Sequence, residues 1–115
     1  MDEKYCGVDL HKRSFTVCWI NEKGKKSKPE QYSTNEKGYE KFKKKLSKNV
    51  VIGVESSGNT GYFYDKLIKE VKKIVIINPH KFKVVSESVT KNDNRDAATI
   101  AEFLKKDILP EIMMK

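Results

Sequence analysis

The sequence predicts an α/β domain: a mixed five-stranded sheet with helices on both faces. Three observations carry this reading. Residues 4–10 and 14–20 place apolar side chains on both alternating faces: Cys6, Val8 and Leu10, then Phe15, Val17 and Trp19, with Cys18 and Ile20 opposite. Strands of that kind belong to a sheet covered on both sides. From Thr34 onward, helical spacing and short apolar runs alternate, the pattern of strands joined through helices. Finally, 115 residues with 37% hydrophobic content fill one core and no more.

Three residues, His11, Lys12 and Arg13, separate the first two strands, which is hairpin length. The polar turn NEKGKKSKPEQ, with Gly24 and Pro29, leads into a short third strand at about Lys28–Ser33. Thr34 or Asn35 caps a helix whose Tyr39, Phe42 and Leu46 share one face. Residues 50–55 form the next strand. Gly58 and Gly61 interrupt the chain, and Phe63, Leu67 and Val71 mark a second amphipathic helix. IVIIN, 74–78, is a buried strand closed by Pro79, and residues 80–90 are ambiguous. Asn92 or Asp93 opens a third helix that ends at Leu109-Pro110. The order is β-β-β-α-β-α-β-α, with no internal repeat.

The formal net charge is +8, and all but Arg13 and Arg95 of the 24 basic residues are lysine. Lysine is a hydrated point charge, suited to a polyanion backbone more than to reading base edges. The surplus is concentrated between Asn21 and Lys48, which leaves a solvated loop-and-helix face and a nucleic-acid contact both open. No run approaches the roughly 18–20 apolar residues of a membrane span. Met1-Asp2-Glu3-Lys4 leads straight into a strand rather than a signal peptide, so the expectation is a soluble, intracellular chain. Cys6 and Cys18 face each other across the hairpin, and that context favours free, buried thiols.

Two strands end alike, in Gly7-Val8-Asp9 and Gly53-Val54-Glu55. In KNDNRDAATIAEFLKK, Asp93 and Asp96 continue the stripe Ala97, Ile100, Ala101 and Leu104 at helical spacing, which turns both acids toward the sheet. Capping and the helix dipole also explain acids there, Asp93 better than Asp96. If the strands of Asp9 and Glu55 are neighbours, four carboxylates gather. At an effective dielectric near 20, two of them 4 Å apart repel by roughly 4 kcal/mol. Bound protons or a divalent cation must then compensate, and oxygen-only ligands suit Mg²⁺ or Mn²⁺.

GVDLHK around Asp9, GVESSGNTGY around Glu55 and KNDNRDAATIA around Asp93 and Asp96 together resemble the DEDD motif of insertion sequence 110 group transposases. The match covers nearly the whole chain in the right order. The resemblance implies a RuvC-like, RNase H-like fold in which the first and fourth strands are neighbours. It implies Asp9, Glu55, Asp93 and Asp96 as catalytic residues and metal ligands. It also implies Mg²⁺-dependent (or Mn²⁺-dependent) DNA cleavage and strand exchange, a structured guide RNA, a homo-oligomer in the full-length protein, and a cytoplasmic, nucleoid-associated location. Members of that group continue into a second domain carrying a serine nucleophile. Residues 1–115 are therefore expected to be a single catalytic domain, an N-terminal fragment inactive in strand exchange by itself.

Two alternatives share these acids: a structure-selective DNA hydrolase of the Holliday-junction resolvase type, and an inactive nucleic-acid-binding remnant. An actin-like ATPase is disfavoured, because its phosphate loop needs glycines where Leu10-His11-Lys12 stand. Lys12, Arg13, Lys43, Lys44, Lys45 and Lys91 are the expected phosphate contacts. His11 reads as a hairpin residue, and Thr60 as a cap rather than a groove residue.

Overall fold

Alternating apolar residues build a sheet with a separate core on each side. The computed structural model describes residues 3–91 and 94–112. The elements are β1 (Lys4–Leu10), β2 (Ser14–Ile20), β3 (Glu30–Ser33), α1 (Glu36–Lys43), β4 (Val50–Glu55), α2 (Thr60–Leu67), β5 (Lys73–Ile77), α3 (Pro79–Thr90) and α4 (Ala97–Lys105). A turn of 3-10 helix, Ile68–Glu70, extends α2. The strand order is β3-β2-β1-β4-β5. β1, β2 and β3 form an antiparallel meander, and β4 and β5 run parallel to β1. The first strand thus lies beside the fourth, and the sheet has the RNase H-like arrangement.

On one face, Cys6, Val8, Phe15, Val17, Ile52 and Val54 pack against Tyr39 and Phe42 of α1 and Phe63 and Leu67 of α2. Phe15 is the hub: its ring lies 5.2 Å from Phe42 and 5.6 Å from Phe63, both edge-on, and 5.4 Å from Tyr32 and from Tyr39. Full burial of each such phenylalanine stabilises the fold by roughly 1.5–3 kcal/mol. The other face is thinner. There Val51, Val75 and Ile77 meet Phe82 of α3 and Ile100, Phe103 and Leu104 of α4.

The structure corrects three expectations. The ambiguous segment 80–90 is a helix, α3, with Asn78 as cap accepting from the Lys81 N–H and Pro79 in the first turn. The last helix starts at Ala97, not at Asn92 or Asp93, and stops at Lys105, before Leu109-Pro110. The hairpin register pairs Cys6 with Trp19 and Cys18 with Gly7, so the two thiols point to opposite faces rather than toward each other. Both are buried and free. Among the described residues, no helix is long and apolar enough to cross a membrane.

Candidate functional site

The two Gly-Val-acid endings have a common cause. β1 and β4 stay in parallel register through Val8 and Val54. One step further, Asp9 and Glu55 lie side by side on neighbouring strands about 4.8 Å apart. Side chains alternate along a strand, so both acids share a face with Gly7 and Gly53. That is the face α4 covers. A Cβ on Gly7 would stand 2.0 Å from the Ala97 carbonyl oxygen and 2.5 Å from the Ala101 nitrogen. Gly53 faces the Ile100 and Leu104 side chains, 3.1 and 3.4 Å from such a Cβ. The glycines let the helix lie on the sheet. The valines fill the opposite core, fully buried. The acids follow where the strands run out beneath the start of the helix.

α4 runs back along the sheet. Arg95, just before it, reaches Glu55, while Glu102 near its far end pairs with Lys26 beyond the end of β2. Its N-terminus, the positive end of its dipole, therefore lies on the side of the acids. Arg95 Nη1 donates to Glu55 Oε1 at 3.2 Å and to the Pro79 carbonyl at 3.4 Å. Asp9 Oδ1 lies 3.2 Å from His11 Nε2. Asp9 and Glu55 are both half-buried. The backbone beyond Glu55 is pinned: the buried Thr60 hydroxyl donates to the Glu55 carbonyl at 2.8 Å and accepts the Ser57 N–H at 2.8 Å. The Ser56 N–H donates to the Ile77 carbonyl of the next strand at 2.9 Å.

Asp96 departs from the expectation that it shares the buried stripe. Ala97, Ile100, Ala101 and Leu104 are buried as the spacing predicts, but Asp96 is the exposed N-cap, its Oδ1 accepting the Thr99 N–H at 2.9 Å. The spacing alone carries the stripe beyond Ala97, where the helix begins. A carboxylate has about four lone-pair sites, so capping occupies only part of its capacity. Asp93 lies outside the described residues. Among the described residues, no three His, Cys, Asp or Glu side chains converge closely enough to hold a metal ion.

The chain matches the DEDD transposase family of the IS110 group, described as "Transposase", over residues 6–112, which span both strand-end acids. This chain belongs to that family. It is also 28% identical over 105 residues to a transposase for insertion sequence element IS1533 from Leptospira borgpetersenii. The alignment takes in 88% of this chain but 30% of that relative, so the chain spans about a third of the relative's length.

In this DEDD transposase chain the expected phosphate contacts differ in setting. Lys12 and Arg13 are exposed in the β1–β2 turn, just past Asp9. The turn is held by Thr34, whose hydroxyl donates to the Lys12 carbonyl at 2.7 Å and whose N–H donates to that of Arg13 at 3.1 Å. Lys91 ends α3 in the left-handed region, φ 65°, and is exposed. Two of the three lysines at the end of α1 are spoken for within the chain: Lys43 sits 3.7 Å from Glu40, and Lys45 2.8 Å from Glu30. Sequence reasoning passed over Arg95. Its signal was its rarity, one of two arginines among 24 basic residues, and its place directly before Asp96.

Proposed function

We propose that this chain is the acid-bearing nuclease half of a transposase active site, acting on DNA during movement of an insertion sequence. The observation that carries the reading is the adjacency of Asp9 and Glu55 at the ends of parallel strands, beneath the N-terminus of α4. The family assignment supports it.

The donor set fits a hard divalent cation: carboxylate oxygens only, those of Asp9 and Glu55 on neighbouring strand ends. Asp9, Glu55, Asp93 and Asp96 would hold Mg²⁺ or Mn²⁺. When bound, such a cation polarises the phosphoryl oxygen and stabilises the charge that develops in displacement. The chain's own residues do the rest. Lys12 and Arg13, one turn beyond Asp9, attract the phosphate backbone, as does Lys91. His11 fixes the Asp9 carboxylate, and Thr60 fixes the strand end that presents Glu55. Strand exchange is not assigned to these residues by themselves; a structured guide RNA and further copies of the protein are proposed partners.

The test is DNA binding by residues 1–115 with and without Mg²⁺, in wild type, Asp9→Asn and Glu55→Gln. Binding should strengthen with Mg²⁺ in wild type and lose that gain in both variants, with no strand exchange by the chain alone. Recombination by these residues alone would overturn the division of labour. Repeated nicking of branched DNA would assign the chain to the resolvase type instead. A Mg²⁺ response unchanged in both variants would remove the acids from the site.

A further inference from the structure

The end of the sheet opposite the acids carries a second charged feature. A groove of about 500 Å³ opens there, and its walls include Lys4, Trp19, Lys25, Lys26, Glu30 and Lys45. Trp19 pairs with Cys6, three residues before Asp9 on β1. At about 3.3 Å per residue this puts the groove some 10 Å or more from the acid pair. A ligand here does not compete with one at Asp9 and Glu55.

The groove combines two chemistries. Four lysines and one acid, Glu30, line the groove, so the surplus is positive. Lys45 is tied to Glu30 at 2.8 Å, and Lys26 is paired with Glu102. Burial raises the Glu30 pKa, but hydrogen bonds from Lys45 and Tyr32, the Lys45 charge and a weaker hydrogen bond from the Trp19 side chain outweigh it and hold the carboxyl below its ordinary value, so Glu30 stays charged near neutrality. Among the described residues, Lys4 and Lys25 enter no ion pair and are exposed. Trp19 lines the same groove, half-buried, its ring 6.2 Å from Phe42. An indole part-exposed among lysines suits an unpaired base over a neutralised backbone: every base has a face to stack, and lysine suits phosphate without demanding a sequence. A duplex offers the same phosphates but keeps its bases inside the stack. An acidic peptide would satisfy the lysines and leave the indole unused.

We infer that the Trp19 groove binds an unpaired single strand of nucleic acid, one base against the indole and its flanking phosphates on Lys4 and Lys25. This goes beyond the nuclease reading and does not depend on a metal.

Trp19 is the only tryptophan, so fluorescence excited at the red edge of the indole band, where tyrosine does not absorb, reports on this groove. The chain is titrated with oligothymidylate and oligouridylate of about 12 nucleotides, within the usual site sizes. A duplex of equal length and inorganic polyphosphate serve as controls. Saturable quenching by either oligonucleotide, absent with polyphosphate and weaker with duplex, is expected. Whichever oligonucleotide quenches at lower concentration identifies DNA or RNA as the source of the strand. Lys4→Gln with Lys25→Gln should flatten the slope of log K against log salt by about 1.4, two phosphates at 0.7 each. Asp9→Asn should leave both readouts unchanged, which separates this groove from the acid site. Equal quenching by polyphosphate, no quenching by either oligonucleotide, or an unchanged salt slope in the double lysine variant overturns the inference.

Discussion

At the scale of single residues, Gly7 and Arg95 decide most about the acid end. Glycine normally weakens a strand, yet two of them sit in the central pair of this sheet at matched register. Gly7 is the stringent one, because the atoms a Cβ would meet at 2.0 and 2.5 Å are helix backbone and cannot rotate away. The nearest atom to Gly53 is a side-chain methyl at 3.1 Å, which can shift. Gly7→Ala is therefore expected to cost more than the roughly 1–3 kcal/mol of ordinary overpacking, and Gly53→Ala to fall at or below that range. Urea unfolding of both variants checks this, and equal losses would mean that α4 does not rest on Gly7. Arg95 acts by charge. It lies 3.2 Å from Glu55 at a site where each side chain is about 30% exposed, so the pair adds little stability, about 0–1 kcal/mol. Its larger effect should be on cation affinity, since it occupies one side of the carboxylate. Arg95→Gln should tighten Mg²⁺ binding measured by calorimetry; a weakened affinity would make Arg95 a support of the site rather than a competitor. The sequence could place the two acids because strand register follows from pattern. It could not show that an arginine forty residues away in the chain would lean on one of them.

At the scale of elements, α4 is the piece that covers the strand ends of the candidate site, and its first residue was the hardest boundary to read. The helical spacing in Ala97, Ile100, Ala101 and Leu104 is genuine, but periodicity marks a face and not where the face begins. Asp93 and Asp96 happen to fit its extrapolation. α3 escaped for the opposite reason. Only Phe82 and Ser86 of its twelve residues are buried, and the valines in PHKFKVVSESVT blur a helical preference. The cap at Asn78 and Pro79 in the first turn were the available signals, and Pro79 read instead as the stop of a strand. Four of the five strands were legible because both faces of β1, β2, β4 and β5 are covered, so their apolar runs are nearly continuous. The cap at Asp96 supports a clean experiment. Asp96→Ala removes the acceptor of the Thr99 N–H and should cost about 1 kcal/mol. Asp96→Asn keeps an acceptor and should unfold close to wild type. If Asp96 also serves a cation, both variants lose Mg²⁺ response, including the one that is fully stable. A stable Asp96→Asn chain with unaltered Mg²⁺ affinity would restrict Asp96 to capping.

At the scale of the whole molecule, the question is whether folding and cation binding are coupled. Asp9 and Glu55 are neighbours in the folded sheet, and their repulsion is absent from the unfolded chain. The fold offsets part of it locally: His11 stands 3.2 Å from Asp9, Arg95 faces Glu55, and the helix N-terminus adds partial positive charge. Asp9→Asn should therefore be neutral to slightly stabilising without metal, because it relieves a repulsion that the fold offsets only in part. A cation that binds only the folded form adds RT ln(1 + [L]/Kd). For a weak site with Kd of about 1 mM, about 10 mM Mg²⁺ adds roughly 1.4 kcal/mol. For a domain of this size that raises Tm by several degrees. Asp9→Asn removes a ligand and should lose most of that rise while keeping its metal-free Tm. A purely structural Asp9 behaves in the reverse way. Its replacement would lower the metal-free Tm, because the partnership with His11 is broken, and Mg²⁺ would shift neither protein. Four melts, wild type and Asp9→Asn each with and without Mg²⁺, tell these cases apart. Ionic strength must be matched with a monovalent salt, because screening alone shifts a chain of net charge +8. With that control, a Mg²⁺-induced rise of equal size in both proteins would place the cation away from Asp9, and the acid pair at the strand ends would lose its claim to the metal.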